Sequence, residues 1–309
     1  MPSTNALARR KELLALGAAL ITVTLWASAF VGIRSAGRDL SPGALTLCRL
    51  LIGSVVLGAL VLARREPRPA RRDLPAIVLC GLLWFGIYNV ALNAAERRVD
   101  AGTAAMLVNV GPVLIAVLAG IVLREGFPRA LVVGCAIAFA GALLIGLATS
   151  THGVHASWGA ALCLAAALAY SAAVVAQKPL LARVSALQIT FLACAVGTVA
   201  CLPFGPTLVR ELGDTHTSAI AWAVYLGALP TAVAFTTWAY ALARTTAGRM
   251  GSTTYLVPPL AIGMAWAILG ESPPGLAFAG GALCLTGVVV ARRELPRLRR
   301  RAPAAAPAA

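Results

Sequence analysis

Arg49, Asn89, Asn93 and Asn109 are polar side chains set inside long apolar runs, where hydrocarbon offers them neither a hydrogen bond nor a counter-charge. Asn89 and Asn93 stand one helical turn apart on one face. Counted from the ends of their runs at 1.5 Å per residue, Arg49, Asn89 and Asn109 fall at a common depth of roughly 10 Å. The chemistry open to such a cluster is recognition: a guanidinium presents its charge to a carboxylate through an amide-lined cavity. In the alternative reading, Arg49 bonds helix-end carbonyls and braces two helices. Around the cluster, Trp26, Trp84, Tyr88, Tyr170 and Trp238 supply rings, with Ser28 beside the first of them. As cavity walls they favour medium-sized apolar or aromatic ligands; as packing residues they face lipid or neighbouring helices. Trp158 and Trp222, near run ends, belong to an interfacial belt.

Reactive chemistry is missing from the runs. All eleven acidic residues sit at run ends, in connections or in the tail, so no mid-run carboxylate offers a conventional proton relay. Glu12, Glu125 and Glu271 come nearest, and Glu125 and Glu271 read as helix caps or gate partners. No P-loop occurs, and no acid, base and nucleophile converge, which argues against ATP drive and against a membrane enzyme. The seven cysteines (Cys48, Cys80, Cys135, Cys163, Cys194, Cys201 and Cys284) are scattered through apolar runs with no C-x-x-C pair, so they read as small packing residues. His152 and His155 fall in a solvated connection. Neither a metal nor a cofactor is expected.

The elements that must position these side chains follow from composition. Of 309 residues, 60% are hydrophobic and 12% charged, about half the roughly 25% of a soluble domain. Ten apolar runs are long enough to cross a ~30 Å core: 13–34, 42–63, 74–95, 101–123, 129–149, 157–177, 186–209, 218–242, 248–270 and 275–291. The fold expected is an all-α integral membrane bundle of ten transmembrane helices, with tails at 1–12 and 294–309. The net charge of +15 resolves along this map. Twenty basic residues lie on the side bearing the termini and five (Arg34, Arg38, Arg97, Arg98 and Arg210) on the other, with Arg49 inside a run. The positive-inside rule puts both termini in the cytoplasm, in a bacterial inner or plasma membrane. The surplus charge is thus topological, with anionic lipid heads as a secondary partner; a nucleic-acid partner would require the charge gathered on one soluble face. Arg9, Arg10 and Lys11 before an apolar stretch ending in Ala27-Ser28-Ala29 also resemble a signal peptide, but the first run is needed by an internal repeat.

Sliding the chain by 146 positions aligns residues 81–141 with 227–287 without a gap. Gly81 meets Gly227, Asn109 meets Tyr255, Pro112 meets Pro258, Glu125 meets Glu271, Gly134 meets Gly280 and Gly141 meets Gly287. Matched glycine, proline and glutamate at one offset mark a duplication, with repeats at 13–149 and 157–293. Five runs per repeat is an odd number, so the second copy enters the membrane inverted, an arrangement characteristic of secondary transporters with a mid-bilayer site. Pro112 and Pro258 sit about ten residues into their runs, near mid-bilayer, and each frees a carbonyl where the pathway would pass. Tyr255 and Trp238 then lie toward the cytoplasmic side, so the two copies would contribute the outer and inner ends of one cavity.

The five-run unit, Trp26-Ala27-Ser28-Ala29-Phe30, Arg49, and the segments running to Pro112 and Leu123-Arg124-Glu125 and to Pro258 and Leu269-Gly270-Glu271 resemble paired EamA-type domains of the drug/metabolite transporter superfamily. The resemblance covers nearly the whole chain. It implies alternating-access export of a small metabolite such as an amino acid, with efflux of toxic compounds or a non-transporting scaffold as the alternatives. The second copy departs from the pattern with Ala169-Tyr170-Ser171 where a tryptophan is common, and nothing matches the basic triose-phosphate site of plastid relatives. Finally, Gly134, Ala138, Ala142 and Gly146 form a small-residue stripe that permits close helix contact, either within the bundle or between the protomers of a homodimer.

Overall fold

The structure is a computed structural model, and it describes residues 4–98, 107–149, 158–269 and 274–293. Described residues in all ten predicted intervals are helical. We number them α1 (Thr4–Ala36), α2 (Pro42–Ala63), α3 (Arg71–Ala95), α4 (Gly111–Val122), α5 (Arg129–Thr149), α6 (Trp158–Leu180), α7 (Ala186–Leu212), α8 (Thr217–Leu242), α9 (247–269) and α10 (Gly275–Arg292). Seven of them, α1, α2, α3, α6, α7, α8 and α10, are long and apolar enough to cross a membrane, and α4 and α5 carry shorter apolar helices. Large apolar side chains such as Val55, Leu62 and Val199 point outward on these helices. An apolar exterior of that extent is unstable in water and fits hydrocarbon.

The packing is reciprocal. At an offset of five helices, α1 against α8 and α9 corresponds to α6 against α3 and α4, and α2 against α8 corresponds to α7 against α3. The remaining major contacts, α2 with α7, α4 with α9 and α5 with α10, pair each helix with its own counterpart. At the centre of the α5–α10 contact, Cys284 Sγ lies 3.5 Å from Ala138 O, and these two residues align with each other at the offset of 146. A Cβ built on Gly134 would meet Ala291 N and Gly287 O, and one on Gly280 would meet Gly141 O and Ile145, which is the same contact seen from the other copy. The described part of the small-residue stripe therefore packs within the chain, because only glycine and alanine let these two backbones approach so closely.

Two irregularities also recur at one offset. The third helix widens into a π-helical stretch at Gly81–Tyr88 and the eighth at Gly227–Val233. A π turn loosens the regular backbone ladder and often marks a functional position. Each begins at a glycine pressed against a neighbouring backbone, Gly81 on Ala193 O and Gly227 on Arg49 O. Side chains satisfy the loosened carbonyls: Asn89 Nδ2 donates to Trp84 O and Phe85 O at 2.9 and 3.1 Å, and Thr231 Oγ1 donates to Leu226 O at 2.8 Å.

Arg183 and Glu125 tie the end of the bundle bearing the termini across the two halves, and Lys178 ties it within the second. Asp73 Oδ1 accepts from Arg183 Nη2 at 2.7 Å, and Lys178 Nζ donates to Leu242 O and Thr245 O. Glu125 accepts from Ala247 N at 2.9 Å and Gly248 N at 3.2 Å, so it caps α9 with a carboxylate. Arg124 and Gly126, on either side of it, both have positive φ, 56° and 73°. The turn that presents Glu125 thus holds a non-glycine residue in the left-handed region, a strain of the kind found at functional contacts. At the opposite end the ties are lighter: Ser41 N donates to Glu211 Oε2, and Asp39 Oδ2 accepts from His216. The His216 backbone and ring bonds hold the Asp39 carboxyl below its ordinary range. His152, His155 and Glu271 lie outside the described residues.

Candidate functional site

Between α1, α2, α3, α4, α6, α8 and α9 lies a chamber of about 90 Å³. Trp26, Arg49, Trp84, Tyr88, Asn89, Asn109, Pro112 and Tyr170 line it. The rings form one continuous cluster, with Trp84 at its centre. Its centroid stands 5.0 Å from Phe235, 5.7 Å from Tyr170 and 6.0 Å from Trp26, at the separations favoured by offset and edge-on pairs. Phe235, Thr254 and Val257 also line the chamber. Sequence reasoning passed them over because an apolar or weakly polar residue in an apolar run carries no signal of its own.

Five predicted residues lie off the chamber wall. Ser28 Oγ contacts Tyr225 Oη at 2.6 Å and is occupied between α1 and α8. Trp238 is fully buried behind Trp26, with centroids 5.1 Å apart. Tyr255 is fully buried among Leu131, Cys135 and Cys284 beside the α5–α10 contact, and Pro258 is buried in α9. The chamber is thus built from the first copy together with Tyr170, Phe235, Thr254 and Val257, rather than equally from both. Asn93 belongs elsewhere. Its amide donates to Thr46 Oγ1 at 2.9 Å, and it lines a second compartment.

Arg49 is 5% exposed and makes one hydrogen bond among the described residues, from Nε to Thr231 Oγ1 at 3.2 Å. Thr231 is the residue that satisfies the π turn of α8, so one edge of the guanidinium is fixed by a helix irregularity while the side chain borders the chamber. Trp26 Nε1 is enclosed and meets no acceptor among the described residues. A fixed cation and an indole donor against rings suit a molecule with an anionic end and an apolar body. The volume limits that body. About 90 Å³ is below the roughly 150 Å³ of an apolar cavity that takes benzene, so in this state the chamber suits a slender chain better than an aromatic ligand.

Toward the end away from the termini lies the second compartment, of about 400 Å³, bordered by Arg34, Arg38, Asn93, Glu96 and Arg97; Ile33 walls both spaces. Glu96, a carboxylate at a run end, is among its lining residues. Among the described residues, no group of His, Cys, Asp or Glu is arranged to hold a metal ion.

The EamA-like transporter family model matches residues 13–147 and 157–293. A protein named as a probable terminal-alkyne amino-acid exporter from Streptantibioticus cattleyicolor is 41% identical over 288 residues, covering 92% of this chain and 96% of that protein. A probable amino-acid metabolite efflux pump of Salmonella typhimurium is 24% identical, over 88% of this chain and 92% of its own. Among solved structures, a crystal structure 22% identical in sequence superposes with a TM-score of 0.73 over 90% of this chain and 96% of its own, a likeness of fold.

Proposed function

The chain belongs to the EamA-like transporter family, and from that premise we propose that it exports amino acids with slender apolar side chains by alternating access. The observation that carries this reading is Arg49 bordering a narrow ring-walled chamber inside an integral membrane protein. The relative named for terminal-alkyne amino acids fits the same limits, because an alkyne is a thin rod. A bulky toxic compound finds too little room.

In this reading ten helices cross the bilayer, 13–149 and 157–293 are inverted copies, and the termini are cytoplasmic. The reciprocal contacts at one offset and the distribution of basic residues support it. The ties through Glu125, Lys178 and Arg183 then close the cytoplasmic end, while the two compartments lie toward the outside. Rocking of one copy against the other would open the inner end and bring Trp238 and Tyr255 nearer the pathway.

Proteoliposomes loaded with unlabelled norvaline should accumulate labelled norvaline by counterflow well above protein-free vesicles. An absence of counterflow with norvaline and with an alkynyl amino acid would sink the reading. The inner closure is tested separately. Glu125→Ala removes both bonds to the α9 terminus, a cap worth about 0.5 to 2 kcal/mol. Ala247, buried in this state, should become more accessible: an Ala247→Cys probe in the Glu125→Ala background is expected to react roughly 2- to 30-fold faster with a polar maleimide from the cytoplasmic side. An unchanged rate would make Glu125 a cap with no part in closure.

A further inference from the structure

The connection between α2 and α3 carries five arginines in nine residues: Arg64, Arg65, Arg68, Arg71 and Arg72. All five are exposed, and among the described residues their guanidinium groups form no ion pair. The acids beside them do not neutralise the group. Asp73 is buried with its carboxylate on Arg183 of the second copy at 2.7 Å, which leaves Glu66 as the one other carboxylate in the connection. Like charges so closely spaced repel one another and call for a counter-charge from outside the chain.

Depth and backbone indicate where that counter-charge stands. The 22 residues of α2 span ~33 Å at 1.5 Å per residue, about the thickness of a hydrocarbon core. Arg64 and Arg65 therefore leave the helix at headgroup level, on the side bearing the termini. Arg71 and Arg72 open α3 on that same side, directly before the exposed apolar Leu74. Between them residues 66–70 are not helical, as Pro67 and Pro69 dictate.

Arg65 closes α2 with a φ of 50°, its N–H donating to Leu62 O and that of Glu66 to Val61 O. Glycine makes this turn without steric cost. Arg124 closes α4 with a φ of 56°, and there the turn presents Glu125 to α9. Among the described residues, no side chain of the Arg65 turn bonds to the rest of the chain. What the strained turn holds outward is a guanidinium.

We propose that Arg64, Arg65, Arg68, Arg71 and Arg72 form a docking site for anionic phospholipid headgroups at this membrane face. A phospholipid brings both halves of the match. Its phosphate meets the guanidinium forks at the level where the helices leave hydrocarbon. Its acyl chains lie along α2 below them, where Leu62, Leu60 and Val55 are exposed. A free anion uses only the first half. Topology alone does not require these arginines, because fifteen further basic residues lie on the same side. The site is independent of what the chamber carries.

The test is energy transfer in proteoliposomes from a dye on Ala70→Cys to acyl-labelled phosphatidylglycerol or phosphatidylcholine, each a trace in a neutral bilayer. Enrichment of phosphatidylglycerol over phosphatidylcholine beside the dye is expected to be at least about threefold, and to approach parity at about 0.5 M salt. Combining Arg64→Gln, Arg65→Gln and Arg68→Gln should abolish it. Combining Arg299→Gln, Arg300→Gln and Arg301→Gln makes the same change of charge in the tail and should leave it intact. Equal losses in the two variants, or none in the first, overturn the site. Arg65→Gly should raise the melting midpoint, by relieving the turn, and roughly halve the enrichment; a higher midpoint with unchanged enrichment overturns the assignment of Arg65. Inorganic phosphate should lower the enrichment no more than chloride does at equal ionic strength. A larger effect of phosphate makes the occupant a free anion and overturns lipid docking. Each of these failures leaves amino-acid export standing.

Discussion

Arg49→Ala is expected to raise the half-saturating concentration for norvaline by roughly ten- to 150-fold, the equivalent of a charged hydrogen bond worth about 1.5 to 3 kcal/mol. The expectation rests on where the guanidinium stands. Its Nε is spent on Thr231 Oγ1, and the side chain borders the chamber with 5% of its surface exposed. The same bond supports the rival view that Arg49 only braces α2 against α8. Thr231→Val separates the two, because it removes the acceptor of the brace and keeps the cation. If Arg49 binds substrate, Thr231→Val should lower the melting midpoint while changing transport little, whereas Arg49→Ala, which breaks the same bond, should also lose transport. Arg49→Lys should fall between the wild type and Arg49→Ala, since an ammonium keeps the charge but loses the planar fork that grips a carboxylate. Should Thr231→Val cost as much transport as Arg49→Ala, the brace is the main role and substrate recognition must be sought elsewhere in the chamber.

How much of this site could be read from residue types depends on what hydrocarbon punishes. Arg49, Asn89 and Asn109 stood out because a polar atom in an apolar run must be answered, and all three border the chamber. Their individual roles were less legible. The Asn89 amide is taken up by Trp84 O and Phe85 O, a demand created by a π turn that no side-chain pattern announces. Asn93 looked like the twin of Asn89 on one helical face, yet one further turn along α3 moves it into the next compartment. Phe235 sits against Trp84 at the centre of the rings, but a phenylalanine in an apolar helix looks the same whether it faces lipid, a neighbour or a cavity. Glu96 follows a run instead of lying within one, so its position in the sequence carries no signal of enclosure. Only the packing of α1, α2 and α3 around its end encloses one of its oxygens.

The fold was more legible than the site, because duplication is written in several residue types at once. Glycine, proline and glutamate recur at a spacing of 146, and the same spacing relates Ala138 to Cys284 and the π turn at Gly81 to that at Gly227. The reciprocity does not extend to the cavity wall. Asn109 borders the chamber, while its counterpart Tyr255 is sealed beside α5 and α10. This asymmetry is what alternating access requires: if two equivalent halves lined the chamber equally, neither end would be preferentially closed. In the proposed cycle, the opposite state exchanges the environments of these two positions.

The α5–α10 contact makes the largest demand on stability, and Gly134→Leu should show it. A Cβ at position 134 would lie 2.3 Å from Ala291 N and 2.5 Å from Gly287 O, and one at position 287 would lie 2.4 Å from Ala138 N. These are backbone atoms, so no rotamer change makes room, and the helices must separate along the whole seam. Overpacking of this kind costs about 1 to 3 kcal/mol, and the upper end is expected here. In a chain of this size that lowers the melting midpoint of the detergent-solubilised protein by roughly 5 °C. Gly287→Leu should match it, because the two glycines occupy opposite sides of one contact. Gly17→Ala supplies a control of opposite sign: nothing lies within 4 Å of its Cβ position in α1, and replacing a helical glycine by alanine stabilises by roughly 0.5 to 1 kcal/mol. A midpoint that Gly134→Leu leaves unmoved would mean that α5 and α10 do not meet backbone to backbone.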